Sequence, residues 1–360
     1  MNKKMFSSII TCIVVVLAGF MSGCKEDNAP GGSGAKPSLF LSLPDICNTP
    51  DGMTLDPSTG NIILACPNFN DTNFPGILVK IDPSNNWSQY FAMPVHPKTK
   101  RGCPMGLDFG PDGNLYVADN QYFYDKDHKS RLIRVVIENG KPVRAEVAVD
   151  GFKLSNAVIW KGDSVYVSDT YFDLPDEPGA SGIYRIKLSE MQKGTVQLKP
   201  NATDPRLIAR FTTAANSRNE TAGADGMTFD SKGNLYTGNF GDGVLSKITF
   251  DENGDVASNK ILLKDPRMPC VDGIFCDLKT DEIYVADSEK NAIHIVTPEG
   301  GLRTLWMNDD SDGSDGLLDQ PCEPLIRGDE LIIANFDMPF PGLKNSAFDK
   351  HHTLSVIKLK

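Results

Sequence analysis

Six stretches of the sequence set one residue at the head of a short apolar run: Asp51 in DGMTLD, Met105 in MGLDFG, Asn156 in NAVIW, Asp225 in DGMTFD, Asp272 in DGIFCD and Glu323 in EPLIR. Four of these are acids and one is an amide. If a fold gathers them round one axis, carboxylates about 5 Å apart repel by roughly 3 kcal/mol per pair at an effective dielectric near 20. They must then spread apart, take up protons or hold a cation. Oxygen donors without a histidine suit Ca²⁺ better than Zn²⁺. Asp51, Asn156, Asp225, Asp272 and Glu323 are therefore the expected metal ligands. The plainer account is that each Asp-Gly makes a turn or bonds its own backbone; turn chemistry alone would not require Glu323.

What must position these residues is a repeat. Each head residue opens a strand, a tight turn follows, and a second apolar strand ends in a small and a polar residue: NIILAC, NLYVAD, SVYVSD, NLYTGN, EIYVAD and ELIIAN. Third strands follow, such as GILVKI, RLIRVV and TLSVIK, and then fourth strands such as WSQYFA and GLRTLW. Antiparallel four-stranded units with no sustained helical period are propeller blades. The expected fold is all-β, a six-bladed β-propeller over residues 38–360, with SLFLSL at 38–43 closing the last blade. A pair of β-sandwiches is the competing architecture, and the repeat count argues against it. The head residues then ring the mouth of the central channel. The long loops 95–104, 120–130, 171–181, 212–224, 307–322 and 336–352 share that face, which marks it as the working face.

Two of the stretches resemble a known family. SNAVIW around Asn156 is similar to the SNGLxW segment, and ADGMTFD around Asp225 to the PDGMxxD segment, of the senescence-marker-protein/gluconolactonase family. Those proteins are six-bladed, calcium-dependent lactonases related to paraoxonases. CEPLIRGDELIIANF around Glu323 falls over the family's ECPxW opening segment, as if the blade order were rotated by one. The resemblance implies that Glu323, Asn156 and Asp225 bind Ca²⁺ and that Asp225 helps activate water. Met105 stands where the family has a substrate-contacting asparagine, and Asp272 is an additional acid that could serve as ligand or base. The YVAD strand endings also resemble the NHL-type propeller signature. The expected function is a calcium-dependent hydrolase of a lactone or related ester, with Asp225 and Asp272 as catalytic carboxylates. The alternative is a non-catalytic propeller binding a glycan or protein, the ion being structural. A polysaccharide lyase or isomerase is a third reading.

Met105, Asn120, Asn239, Asn335 and His128 are the expected substrate contacts. Tyr122, Phe123, Tyr124, Tyr171, Phe172, Trp306, Phe336 and Phe340 could form an aromatic rim. The second-strand endings Cys66, Asp119, Asp169, Asn239, Asp287 and Asn335 form a further ring, whose main expected role is to cap strand ends. His96, His128, His351 and His352 fall on working-face loops, whereas His294 lies within a strand and is expected to be structural. NDDSDGSDGLLD, Asn308 to Asp319, has the spacing of a calcium loop, with Gly313 sixth and Asp319 twelfth, but no flanking helices. A solvated acidic loop is its ordinary reading.

A formal charge of −11 excludes a phosphate-binding surface, so no nucleic-acid partner is expected. Residues 1–23 read as an export signal, with Lys3 and Lys4 before an apolar run too short to span a bilayer. Met21-Ser22-Gly23-Cys24 resembles a lipobox, KEDN at 25–28 resembles a surface-export tag, and 24–37 fits a flexible tether. The expected location is the bacterial outer membrane, held only by a lipid on Cys24, either at the cell surface beside glycan-utilisation partners or on the inner leaflet. In an oxidising compartment Cys47 with Cys103, and Cys270 with Cys322, could form disulfides, with Cys66 the alternative partner of Cys103. Cys276 reads as a buried thiol. No Ser-His-Asp elbow, zinc spacing or phosphate-cradling loop is present.

Overall fold

Second strands such as Ile62–Cys66 are apolar at every position because both of their faces are covered. Ile62 and Leu64 pack towards the last blade, and Ile63 and Ala65 towards the second. Alternation with a period of two, buried on both sides, produces the continuous apolar runs seen in the sequence. The computed structural model describes residues 32–359. The leader, the lipobox with Cys24 and most of the expected tether lie outside them.

Six sheets form the ring. Blade one is Met53–Leu55, Ile62–Cys66, Ile77–Ile81 and Trp87–Ala92; blade four is Ala224–Phe229, Leu235–Asn239, Leu245–Phe250 and Val256–Leu263. Blades three and five repeat this four-stranded antiparallel order. Blade two gains a fifth strand, Val196–Gln197, which pairs parallel with Lys141–Phe152. That strand comes from the long excursion of blade three, between Ala180–Lys187 and Leu207–Thr212. Blade six is built from Pro321–Arg327, Glu330–Asn335 and Thr353–Lys358, and Ser38–Ser42 completes it by antiparallel pairing with Thr353–Lys358. The N-terminal strand therefore covers what would be an open sheet edge, as the sequence suggests.

The core is divided among the interfaces between blades. Six hydrophobic clusters each draw on two neighbouring blades. The seam between blades six and one joins Leu325, Ile332 and Leu354 to Met53, Ile62 and Leu43. Leu43 follows the closing strand, its N–H donates to the His352 carbonyl at 2.7 Å, and its side chain is buried. Among the described residues no helix is long and apolar enough to cross a membrane.

Because Leu43 seals the last-to-first seam, Leu43→Ala should lower the unfolding free energy by about 2–5 kcal/mol. A urea midpoint unchanged from wild type would show that closure does not depend on this contact.

Candidate functional site

The head residues lie where the innermost strands are interrupted. Pairing between first and second strands slips between Pro104 and Leu107, Ser155 and Val158, Ala224 and Met227, and Pro321 and Glu323. Such irregularities re-aim side chains, here turning Asn156 and Asp225 into the channel. The glycine after several head residues has a different cause from a turn. A methyl at Gly52 would meet the Met105 carbonyl oxygen at 2.6 Å, one at Gly106 the Asn156 oxygen at 2.6 Å, and one at Gly226 the Asp272 oxygen at 2.5 Å. With Gly273 against the Cys322 carbonyl oxygen, the inner strands of blades one, two, four and five thus press directly on the backbone of the next. Asp-Gly recurs because the ring closes tightly, and Asp51, Asp225 and Asp272 also bond the N–H of the glycine that follows, as the plainer account expects.

A cavity of about 180 Å³ opens at the channel mouth. Asp51, Asn156, Asp225 and Asp272 line it together with Met105, Asn120, Tyr171 and Phe336. Asn156 Nδ2 donates to Asp225 Oδ1 at 2.8 Å, and Ser288 Oγ donates to Asp272 Oδ2 at 2.6 Å. Asp51 Oδ2 is buried and has no hydrogen-bond donor. Glu323 sits further down the channel, against Gly273, and lines the cavity on the far side with Thr54, Asp108 and Thr228. No three of the ring carboxylates bring oxygens within 4.8 Å of one another. They surround the mouth without forming a closed cage.

Electrostatics at the mouth follow from burial. Asp51 is pushed up to about 7, chiefly by desolvation, with partial relief from the Cys322 thiol and the Gly52 N–H. Asp225 is pushed well above the carboxylate range by burial and then by Asp272, Asp51 and Glu323. Glu323 rises for the same reasons, burial first and then Asp51 and Asp272. Asp272 also rises by burial, against the opposing Ser288 hydrogen bond. With every donor an oxygen and one of them orphaned, this set fits a hard divalent cation held by Asp51, Asp225, Asp272 and Asn156.

Other expected contacts go elsewhere. Asn120 reaches the cavity: its Oδ1 accepts from the Tyr122 N–H at 3.0 Å, and its buried Nδ2 has no acceptor. Asn239 does not. It accepts from the N–H groups of Gly241 and Asp242 and bonds Thr213, stabilising the end of its own strand. Asn335 is likewise spent on the Asp319 N–H, Thr353 and Ser355. His128 lies near the Gly151 carbonyl, outside the cavity lining. None of the five histidines lines the cavity, and His294 is buried between Asp287 and Thr304. The other second-ring acids cap backbone: Asp119 takes the Cys103 N–H and pairs with buried Arg131, and Asp169 takes the N–H groups of Lys153 and Leu154.

Of the expected aromatic rim, Phe123, Tyr171, Phe336 and Phe340 line the cavity. Tyr122 stacks on Tyr171 with ring centroids 4.7 Å apart. Phe172 and Trp306 pack into interblade clusters instead. All six cysteines among the described residues are buried free thiols, so neither expected disulfide forms. Cys66 lies beside Cys47, not Cys103, and Cys276 joins a buried cluster. The acidic loop does not wrap as a calcium loop. Asn308 is consumed by Trp306 and Leu318, Asp310 by Ser346, and Asp312 by Ser314.

The sequence reading missed Glu220 and Phe240, which line the cavity from the 212–224 loop and from the end of blade four's second strand. Glu220 Oε1 accepts from the Tyr171 hydroxyl at 2.9 Å and from the N–H groups of Thr221 and Ala222. The 212–224 loop answers in position to 95–104 and 307–322 but shares no sequence with them, so the repeat offers no signal for Glu220.

No family model matches the sequence, and neither does any curated protein. Solved structures do align over nearly the whole chain. A luciferin-regenerating enzyme is 14% identical, covering 90% of this chain and 97% of its own, with a TM-score of 0.59. A gluconolactonase from Xanthomonas campestris is 10% identical over 92% and 97%, TM-score 0.55. A calcium-binding protein, regucalcin, from Agrobacterium tumefaciens is 13% identical over 91% and 96%, TM-score 0.54. The structural neighbours thus include gluconolactonase-like and regucalcin-like six-bladed propellers, in keeping with the resemblance seen in the sequence, and sugar dehydrogenases align over as much of the chain. At such identities the likeness establishes the fold; function has to be argued from the site.

The raised carboxyl groups make a stability prediction. A group whose folded pKa lies above its unfolded value stabilises the fold fully below the unfolded value, and this is lost as pH rises through the folded one. For Asp51 the window runs from 3.8 to about 7. In chelator, Asp51→Asn should gain in melting temperature relative to wild type as pH rises from about 4 to 7. Parallel pH profiles for the two proteins would contradict it.

Proposed function

We propose that the channel mouth hydrolyses a lactone or related ester, of sugar-derived character, with a divalent cation, Ca²⁺ by preference, held by Asp51, Asp225, Asp272 and Asn156. The observation that carries this reading is the meeting of three high-pKa carboxyl groups and an amide with a partly aromatic cavity. When bound, the cation supplies charge neutralisation and polarises an ester carbonyl. Asp225 acts as general base, its carboxylate held towards the cavity by the Asn156 amide, within reach of a water that attacks the carbonyl. Ser288 fixes Asp272, which presents its other oxygen to the site. The free Nδ2 of Asn120 donates to a substrate oxygen, and so supplies from blade two the amide that Met105 does not. Phe123, Tyr171, Phe336 and Phe340 pack against the substrate and exclude water. Tyr171 is itself held by Glu220 and by stacking on Tyr122. No covalent intermediate is required. In this reading the protein works at the bacterial outer membrane, tethered through a lipid on Cys24.

Purified protein assayed against a panel of lactones and esters should turn over at least one of them, and chelator should abolish that activity. Asp225→Asn should lower kcat by at least about 100-fold while leaving the melting temperature of the chelated protein within a few degrees of wild type. Full activity in that variant would overturn the assignment of the base. Activity indifferent to chelator would count against the cation, and ligand binding without turnover would favour the non-catalytic, glycan- or protein-binding propeller.

A further inference from the structure

Away from the axis, three carboxylates meet on the working face. Asp319 ends the acidic loop, whereas Asp337 and Asp349 belong to the 336–352 loop of blade six. One oxygen from each lies within 4.8 Å of the others, a proximity that no other group of three His, Cys, Asp or Glu residues reaches among the described residues. Asp319 has no exposed surface, and neither of its oxygens has a hydrogen-bond donor. Leaving both lone-pair sets of a buried carboxylate unsatisfied is costly, and a native fold normally supplies a partner. No Lys, Arg or His among the described residues forms an ion pair with Asp319, Asp337 or Asp349. The basic groups nearby are committed elsewhere: Lys344 to Asp309, Lys350 to Asp45 and His351 to Asp312.

We propose that Asp319, Asp337 and Asp349 form a second, off-axis Ca²⁺ site that fastens the 336–352 loop to the end of the acidic loop. The donor set is all oxygen, which selects a hard cation, and Asp319 offers both of its oxygens at once, which suits the larger, more tolerant Ca²⁺ over octahedral Mg²⁺. The other two ligands are held for the task. Asp337 accepts from Asn345 Nδ2 at 3.1 Å and from the Asp349 N–H at 3.0 Å, so two ligands are linked before any ion arrives. Gly313, at a φ of 66°, lies against Asp319: a methyl there would come within 3.6 Å of Asp319 Oδ2. Desolvation and the neighbouring Asp337, Asp349, Asp310 and Asp312 push Asp319 up to about 9, as expected of a carboxylate lacking its counter-ion. The loop spacing Asn308 to Asp319 thus contributes one ligand, its twelfth residue, while the remaining two come from the next blade's loop.

This site has a direct connection to the axial cavity. Gln320 and Phe336, the chain neighbours of Asp319 and Asp337, both line it. Their backbones are joined by the Phe336 N–H donating to the Gln320 carbonyl at 2.9 Å, and Gln320 Oε1 accepts from the Met338 N–H at 2.5 Å. An ion between Asp319 and Asp337 would therefore brace that wall of the cavity from behind.

The test uses intact protein stripped with chelator and titrated with CaCl₂ by calorimetry, in wild type, Asp225→Asn, Asp319→Asn and Asp349→Asn backgrounds. Asp225→Asn should retain a Ca²⁺-binding event that Asp319→Asn, and independently Asp349→Asn at the half-buried edge, removes or weakens at least 10-fold. Asp349→Asn serves where Asp319→Asn fails to fold. Trypsin should cut after Lys344 or Lys350 faster in chelated wild type than with Ca²⁺, and Mg²⁺ at equal concentration should protect less. Calcium binding and loop protection unchanged in both Asp319→Asn and Asp349→Asn would overturn the proposal, as would equal protection by Mg²⁺. Loss of the axial site alone would leave these outcomes in place, so the two sites fail separately.

Discussion

Burying like charges round a narrow axis is the constraint on which this structure turns. The inner strands approach so closely that glycine is needed beside Asp51, Met105, Asp225 and Asp272, because a methyl there would strike the neighbouring blade's backbone. That same approach aims the head side chains into one channel and strips them of water. Desolvation is the leading cause of the raised pKa at Asp51, Asp225, Asp272 and Glu323, and mutual repulsion adds to it at Asp225, Asp272 and Glu323. Tight packing of the scaffold and reactivity of its centre therefore have one origin. The hydrogen bonds from Asn156 and Ser288 orient two of the acids without neutralising them.

The architecture was legible in the sequence because its cause is periodic. A strand buried on both faces must be apolar throughout, as in Ile62–Cys66, and a blade must recur to bury those faces, so pattern and fold carry the same information. The closing role of Ser38–Ser42 could be read for a related reason: a ring that lacks its last outer strand has an open edge. The axial residues were legible to the extent that they share a register, which is why Asp51, Asn156, Asp225 and Asp272 come together. Glu323 shares the register but faces the far side of the channel, a difference of depth that one-dimensional spacing does not encode.

Loops and strand ends were less readable because their partners are set by three-dimensional neighbours. Asn239 and Asn335 stand in equivalent positions to acids that cap backbone, and they cap backbone too, so ring membership alone overstated their access to the cavity. Cys47 and Cys66 share a seam while Cys103 lies elsewhere, a choice that hangs on which way alternate residues of blade one point. The acidic stretch ending at Asp319 has the spacing of a calcium loop, yet its other acids hold serines, a histidine and lysines, and only its last residue meets carboxylates, those of the next loop. Glu220 lay beyond reach altogether, because its loop shares only its place, and none of its sequence, with the corresponding loops of the other blades.

Anomalous diffraction from crystals soaked in Tb³⁺, a calcium mimic, locates ions at the channel mouth without reference to turnover. A peak on the axis, about 2.3–2.6 Å from oxygens of Asp225 and of Asp51 or Asp272, is the predicted result. A mouth with no peak, in which those carboxyl groups share protons and bond to one another, would contradict it.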